Sequence, residues 1–283
     1  MLSRILSDIK IAHTLFALPM ALTGMLLATG GHLPSARVLT LILLCMATGR
    51  SAAMGFNRLI DAAIDAKNPR TASRPIPAGA LSSRAMAAFV GINVVLFLAG
   101  AALCNGLTLA LAPIALAFFV LYPYTKRFTA LCHFVLGTTL AAAPVGAWIA
   151  VRGSVDAVPL LLGAAVLLWV SGFDILYALQ DEAFDRAHGL HSVPVALGRR
   201  RARIVARLLH GAMAATLLGV GLAAGLGIAY VVSVFACAAL LFGEHRLVRG
   251  EDLSRLNVAF FTLNSWLSVV LFAGTAIDRL LAR

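Results

Sequence analysis

The chain has 283 residues, of which 61% are hydrophobic and 12% are charged, and its formal net charge is +11. Soluble proteins carry roughly 25% charged residues, so this composition excludes the soluble class and predicts one integral membrane domain over residues 1–283. The Lys and Arg residues lie between apolar runs, so no soluble basic face exists to hold a nucleic acid, and a nucleic-acid partner is excluded.

Nine apolar runs follow one another along the chain, and each is close to the 17–25 residues that span a bilayer as a helix. They cover roughly 11–29, 37–57, 85–104, 106–124, 130–151, 158–179, 205–224, 226–243 and 257–278. We therefore predict an all-α bundle of nine transmembrane helices in a lipid bilayer. The first run follows basic residues, as a signal peptide does, but no small-residue cleavage site precedes Gly30. We predict that it is retained as a helix.

Basic residues alternate from loop to loop and predict the topology. They are concentrated at the N-terminus and after the second, fourth, sixth and eighth runs, whereas the intervening loops carry one or none. By the positive-inside rule, we predict that the N-terminus and these basic loops face the cytoplasm. We predict that the protein lies in the inner (cytoplasmic) membrane. Arg279 and Arg283 near the C-terminus oppose this orientation.

Two short segments hold six of the twelve acidic residues, and both lie at the predicted cytoplasmic ends of apolar runs. Residues four apart share one face of a helix. Two rows with this spacing can be read from the sequence: Asn57, Asp61 and Asp65 in the first, and Asp174, Tyr177, Asp181 and Asp185 in the second. Like charges at this spacing repel, so a compensating cation is expected, and Mg²⁺ prefers such oxygen ligands together with substrate phosphates.

A basic segment follows each acidic row. Arg70 and Arg74 come after the first row, and Arg186 and a run of arginines come after the second. Arginine binds phosphate oxygens bidentately. Carboxylates for a metal beside cations for phosphate indicate a diphosphate pocket.

These residues carry a resemblance to a known family. Asn57-x-x-x-Asp61-x-x-x-Asp65, followed by a segment that contains Arg70 and Arg74, resembles the first motif of the UbiA-type intramembrane aromatic prenyltransferases. The segment from Asp174 to Asp185 resembles their second motif, and Tyr122-Pro-Tyr-Thr-Lys126-Arg127 resembles their basic loop. One departure is Arg58, where many members have Asp.

The resemblance implies a central cavity that opens toward the cytoplasm and laterally toward lipid. It also implies Mg²⁺-dependent transfer of a polyprenyl group from polyprenyl diphosphate to a small aromatic carboxylic acid, in the synthesis of a membrane quinone. We expect 4-hydroxybenzoate as the acceptor, with a dihydroxynaphthoate of menaquinone synthesis as the alternative. A cation-coupled secondary transporter is an alternative of another class, but no pair of interrupted helices supports it.

The acidic residues are the expected metal ligands. Asp61 and Asp65, with Asn57 beside them, are expected to hold one Mg²⁺, and Asp181 and Asp185 a second. Asp174 lies deeper, where it is either a base, a stabiliser of a cation or a structural carboxylate. Tyr177 either faces a cation with its ring or packs, and we name Asp174 and Tyr177 as the catalytic pair.

The basic residues are the expected substrate contacts. Arg50 lies inside the second run, where an arginine needs a partner, so it either binds the acceptor carboxylate or pairs with Asp174. Arg70, Arg74, Lys126 and Arg127 are expected to contact the diphosphate or the acceptor. His13 either packs or contacts the acceptor.

Overall fold

The computed structural model describes residues 4–5, 8–9, 14–250, 256 and 262–282. Ten helices form in these residues, and no strand is present among them. The helices are α1 (Thr14–Ala28), α2 (Ala36–Asp65), α3 (Ser83–Cys104), α4 (Gly106–Thr125), α5 (Cys132–Arg152), α6 (Ala157–Ala178), α7 (Glu182–Ala187), α8 (Val193–Ala224), α9 (Ile228–Leu247) and α10 (Asn264–Leu281).

The all-α prediction is confirmed, and each of the nine apolar runs coincides with a helix over the part of it that the structure describes. Seven helices, α2 to α6, α8 and α9, are long and apolar enough to cross a membrane. Because α1 has 15 residues and α10 is not among the seven, nine spans stay a prediction, as does a cytoplasmic N-terminus. His13 lies outside the described residues.

Polar and glycine residues between the apolar runs set the ends of the helices. Side-chain oxygens of Ser35, Ser82, Asn105 and Ser192 accept a hydrogen bond from a backbone N–H in the first turn of α2, α3, α4 and α8 respectively. Such caps satisfy donors that a helix leaves free at its start. Helices α5 and α8 end at Gly153 and Gly225, whose φ values of 66° and 61° favour glycine.

The core lies where α6 packs against α5 and α8. Trp169 of α6 is 1% exposed, and its Nε1 donates to Asn264 Oδ1 of α10 at 2.6 Å. Gly137 of α5 allows the closest approach, because a Cβ there would lie 2.6 Å from the carbonyl oxygen of Leu167 and 2.7 Å from Ser171 Oγ. Helices α5 and α6 are therefore held at short range near the end that carries the second acidic segment.

An apolar cavity of about 410 Å³ lies among α1 to α5. On α2 it extends from Ile42 to Met54, and the rings of Phe97 and Phe119 form part of its wall. Arg50 is the cation in its lining. The cavity thus follows α2 toward the helix end that carries the first acidic row.

Candidate active site

The first acidic row lies on the last three turns of α2, as predicted. Asp61 and Asp65 are each 5% exposed, and Asn57 Nδ2 donates to Asp61 Oδ2 at 3.0 Å. Arg74 Nη1 lies 2.6 Å from Asp65 Oδ2, and Arg127 Nη2 lies 3.4 Å from Asp61 Oδ1. Asp65 is therefore paired with an arginine from the loop that follows α2 itself, and Asp61 with an arginine from the loop that follows α4.

The second row is not one continuous helical row, which corrects the prediction. Helix α6 ends at Ala178 and carries Asp174 and Tyr177, whereas Asp185 lies on the separate six-residue helix α7. Asp181 stands in the turn between them, at the N-cap position of α7. The break separates carboxylates that would repel in a regular helix and directs Asp181 toward a different partner.

That partner is the loop that follows the first row. Arg70 donates to both oxygens of Asp181, from Nε at 3.0 Å and from Nη2 at 2.6 Å, and Asn68 Nδ2 donates to Asp181 Oδ1 at 3.2 Å. The guanidinium carbon of Arg70 also lies 5.6 Å from the centre of the Tyr177 ring. This bidentate pair joins the loop after the first acidic segment to the second acidic segment. Arg70 and Asp181 are 111 residues apart in the sequence.

Lys126 and Arg127 lie beside both segments. Arg127 Nη2 donates to the carbonyl oxygen of Ile60 at 2.6 Å, and the carbonyl oxygen of Lys126 accepts from the N–H of His191 at 2.6 Å. The charge of Lys126 acts on both Asp61 and Asp185. The basic loop after α4 therefore lies between the two rows.

Asp185 is 7% exposed and takes part in none of the ion pairs between described residues. Burial raises the pKa of its carboxyl to about 6; the charge of Lys126 opposes the rise and that of Asp181 adds to it. Asp185 is thus a buried carboxylate in need of a cation. Its neighbour Glu182 pairs instead with Arg186 and Arg199.

Sequence reasoning missed His133, the partner of Asp174. His133 Nδ1 lies 2.6 Å from Asp174 Oδ2, and this pairing differs from the alternative in which Arg50 pairs with Asp174. Arg50 lines the cavity instead, and its buried Nε has no hydrogen-bond partner among the described residues. A histidine in the first turn of an apolar span was the available signal, because buried ionisable groups need a partner.

A second missed partner explains Arg58. Its Nε lies 3.1 Å from Asp8 Oδ1, and both side chains are at most 5% exposed. Arg58 Nη1 also donates to Asn57 Oδ1 at 3.0 Å. The departure from the family pattern is therefore compensated by Asp8, and the amide of Asn57 is held between Arg58 and Asp61.

The donor set fits a divalent cation that is shared with a substrate. No group of three or more His, Cys, Asp or Glu side chains that could hold a metal ion is found in the part of the chain that the structure describes. Mg²⁺ is typically held by one or two carboxylates together with substrate phosphates. Two carboxylates in each segment match that requirement, and one of them, Asp185, has no ion pair with any residue that the structure describes.

Fold and site together define a helical membrane protein with acidic and basic residues clustered near an apolar cavity. The chain belongs to the UbiA prenyltransferase family, which it matches over residues 17–266. It is 33% identical over 260 residues to the 4-hydroxybenzoate octaprenyltransferase of Nitrosospira multiformis, a match that covers 92% of this chain and 88% of that protein. The prediction of a multi-pass membrane prenyltransferase is confirmed, which leaves the transporter alternative without support.

Solved structures show the same fold. A UbiA homolog from Aeropyrum pernix K1 superposes with a TM-score of 0.86 at 34% identity, over 95% of this chain and 98% of that one. A UbiA homolog from Archaeoglobus fulgidus, bound to DMAPP and Mg²⁺, has a TM-score of 0.67 at 20% identity, over 97% of this chain and 99% of that one.

Removing one member of the buried pair between Arg58 and Asp8 is expected to destabilise the protein. Arg58→Leu leaves a buried carboxylate without its cation, which costs about 3–5 kcal/mol. The double variant Asp8→Leu/Arg58→Leu is expected to recover most of this loss, because no buried charge remains. Thermal unfolding in detergent measures the ranking. Arg84→Leu, at an exposed arginine outside these ion pairs, is the control, and a single variant as stable as the wild type would contradict the assignment.

Replacing Asp185 is expected to stabilise the protein at neutral pH. A carboxyl whose pKa is raised to about 6 in the folded protein favours folding when it is protonated, and that contribution is lost as the pH rises through 6. Asp185→Asn should therefore unfold at a higher temperature than the wild type at pH 7.5, with a difference that shrinks toward pH 4. Glu182→Gln should act in the opposite direction at pH 7.5, because it weakens contacts to two arginines. Equal melting temperatures for Asp185→Asn and the wild type at pH 7.5 would refute the prediction.

Proposed function

We propose that the protein transfers a polyprenyl group from polyprenyl diphosphate to 4-hydroxybenzoate, with Mg²⁺, in the synthesis of ubiquinone at the inner membrane. The observation that carries the proposal is the joining of two carboxylate segments by Arg70, at the end of the helix that also lines an apolar cavity. The relative from Nitrosospira multiformis is named for an octaprenyl transfer to 4-hydroxybenzoate, which supports this choice of acceptor.

The carboxylates would hold the metal. Asp61 and Asp65 lie on α2, and Asp181 and Asp185 lie on the opposing segment, with Asn57 oriented beside Asp61. Mg²⁺, when bound, neutralises charge that develops on a leaving diphosphate. The relative from Archaeoglobus fulgidus was solved with a prenyl diphosphate and Mg²⁺, which supports a metal of this kind.

The arginines would bind the diphosphate. Arg70 and Arg74 now donate to Asp181 and Asp65, at 2.6 Å in each case. A carboxylate that binds a metal ion no longer needs the arginine as its counter-charge. The guanidinium groups can then turn to phosphate oxygens, which they match bidentately. Lys126 and Arg127 add positive charge from the other side of the site.

The cavity would hold the isoprenoid and exclude water. Loss of diphosphate breaks the allylic C–O bond and leaves a carbocation that water would quench, so an apolar cavity protects it. The aromatic ring attacks this carbon and then loses a proton, for which Asp174 is the proposed acceptor. Arg50 lines the cavity and its Nε has no hydrogen-bond partner in the part of the chain that the structure describes, so it is the proposed anchor for the carboxylate of the acid.

The decisive assay combines purified protein with Mg²⁺, a polyprenyl diphosphate and either 4-hydroxybenzoate or a dihydroxynaphthoate, and identifies the product by mass. Asp61→Ala and Asp181→Ala are each expected to lower turnover by more than about 100-fold, because the developing charge loses its stabilisation. Asp156→Ala, at an exposed site at the other end of α6, should keep wild-type turnover. Full turnover in both active-site variants, or no product with 4-hydroxybenzoate, would sink the proposal.

Arg50 is expected to determine the affinity for the acceptor. Arg50→Leu should raise the KM for 4-hydroxybenzoate about 10- to 100-fold, since a hydrogen bond to a charged group contributes roughly 1.5–3 kcal/mol. The KM for the polyprenyl diphosphate should change little. The methyl ester of 4-hydroxybenzoate should be a poor substrate of the wild type and no worse a substrate of the variant. An unchanged KM for the free acid in Arg50→Leu would argue against this anchor.

A further inference from the structure

We propose that His133 is a positioning residue that holds the carboxylate of Asp174 in place through one specific tautomer of its ring. The inference rests on the proposed function, in which Asp174 serves the reaction. His133 is 2% exposed and lies in the first turn of α5, whereas Asp174 lies one turn before the end of α6. They are 41 residues apart, so no local sequence pattern links them.

The hydrogen bonds of the ring define its protonation. The backbone N–H of Val193 donates to His133 Nε2 at 3.2 Å, so Nε2 must present a lone pair. The proton of a neutral imidazole then lies on Nδ1, which donates to Asp174 Oδ2 at 2.6 Å. These two contacts assign the Nδ1–H tautomer to the ring, with its donor directed at Asp174.

Three helices hold this arrangement. His133 belongs to α5, Asp174 to α6 and Val193 to the first position of α8. Ser171 Oγ, one turn before Asp174, donates to the carbonyl oxygen of His133 at 3.2 Å. Gly137 lies one turn beyond His133 and admits the close approach of α6, since any side chain there would overlap Ser171. The distance between His133 and Asp174 is thus set by the packing of α5 against α6.

The second oxygen of Asp174 is left available. No hydrogen bond to its Oδ1 is found among the described residues, and the Asp174 side chain keeps 24% exposure. The charge of Asp174 acts on Tyr122, whose ring lines the cavity. A carboxylate held by one oxygen and open at the other is suited to accept the proton that the aromatic ring releases, or to stabilise positive charge near it.

Two substitutions each keep one of the two hydrogen bonds of the imidazole and remove the other. In His133→Asn, the amide Nδ2 replaces Nδ1 and keeps a donor for Asp174, while the acceptor for Val193 is lost. In His133→Gln, the longer side chain places an amide oxygen where Nε2 lies and keeps the acceptor for Val193, while the donor to Asp174 is lost. His133→Leu removes both contacts.

The expected turnover follows the contact with Asp174. His133→Asn should remain within about threefold of the wild type, whereas the Gln and Leu variants should fall about 10- to 100-fold in kcat, because small errors in the position of a reacting group are costly. Melting temperatures should not follow the order of the kcat values, since only the Gln variant keeps the hydrogen bond from the N–H of Val193 in α8 to the side chain at position 133 in α5. Equal losses of kcat in the Asn and Gln variants, or a lower kcat in Asn, would overturn the positioning role and leave His133 as a structural link.

The tautomer is tested without substrates. In protein labelled with ¹⁵N-histidine, the His133 signals, identified by their absence in His133→Asn, should show a protonated Nδ1 and an unprotonated Nε2. A proton on Nε2, alone or together with Nδ1, would overturn the inference. Wild-type protein that yields no prenylated 4-hydroxybenzoate would refute the proposed function, while this spectrum would still decide the state of His133.

Discussion

The pairing of arginine with carboxylate is the constraint on which the site depends. Asp61 and Asp65 are buried and Asp181 is half-buried at or just beyond the ends of apolar helices, where an uncompensated charge is unfavourable. Arg127 and Arg70 reach Asp61 and Asp181 from loops that follow other helices, so these two ion pairs also fix one part of the bundle against another. Arg74 pairs with Asp65 from the loop that follows α2 itself. The bidentate contact of Arg70 with Asp181 matters most, because it brings a loop after α2 against the turn after α6. The same guanidinium groups are suited to phosphate, so on the proposed function one set of residues serves both folding and binding.

Much of the fold could be predicted from the sequence, because membrane-spanning helices are local features. Apolar length, capping serines and left-handed glycines place the helix ends with little reference to the rest of the chain. Helix α7 could not be predicted in this way. The spacing of Asp174, Asp181 and Asp185 suits one long helix, and only the contact of Asp181 with Arg70 shows why the chain turns there. Whether α1 crosses the membrane depends on its surroundings, and its length of 15 residues does not decide this.

The residue types of the candidate site could be predicted from the sequence, but which side chains pair with one another could not. Acidic spacing and neighbouring arginines indicate the candidate segments, since charge is costly in an apolar chain. The partners are tertiary: Asp8 lies 50 residues from Arg58, and His133 lies 41 residues from Asp174. Charge alone suggested Arg50 as the partner of Asp174, but His133 satisfies that carboxylate by a hydrogen bond instead. This leaves the cation of Arg50 for the cavity.

That separation places Arg50 in the cavity lining and Asp61 further along α2, beyond the part of the helix that lines the cavity. Asp61 and Arg50 lie eleven residues apart on α2, a rise of about 16 Å at 1.5 Å per residue. On the proposed function, a metal-bound diphosphate lies at the Asp61 end, and the carboxylate of the acceptor lies at Arg50. Both substrates are anionic, so placing their charges at opposite ends of this span avoids repulsion and leaves only uncharged carbon between them. The aromatic ring and the allylic carbon then meet in the apolar stretch, where a carbocation is protected from water.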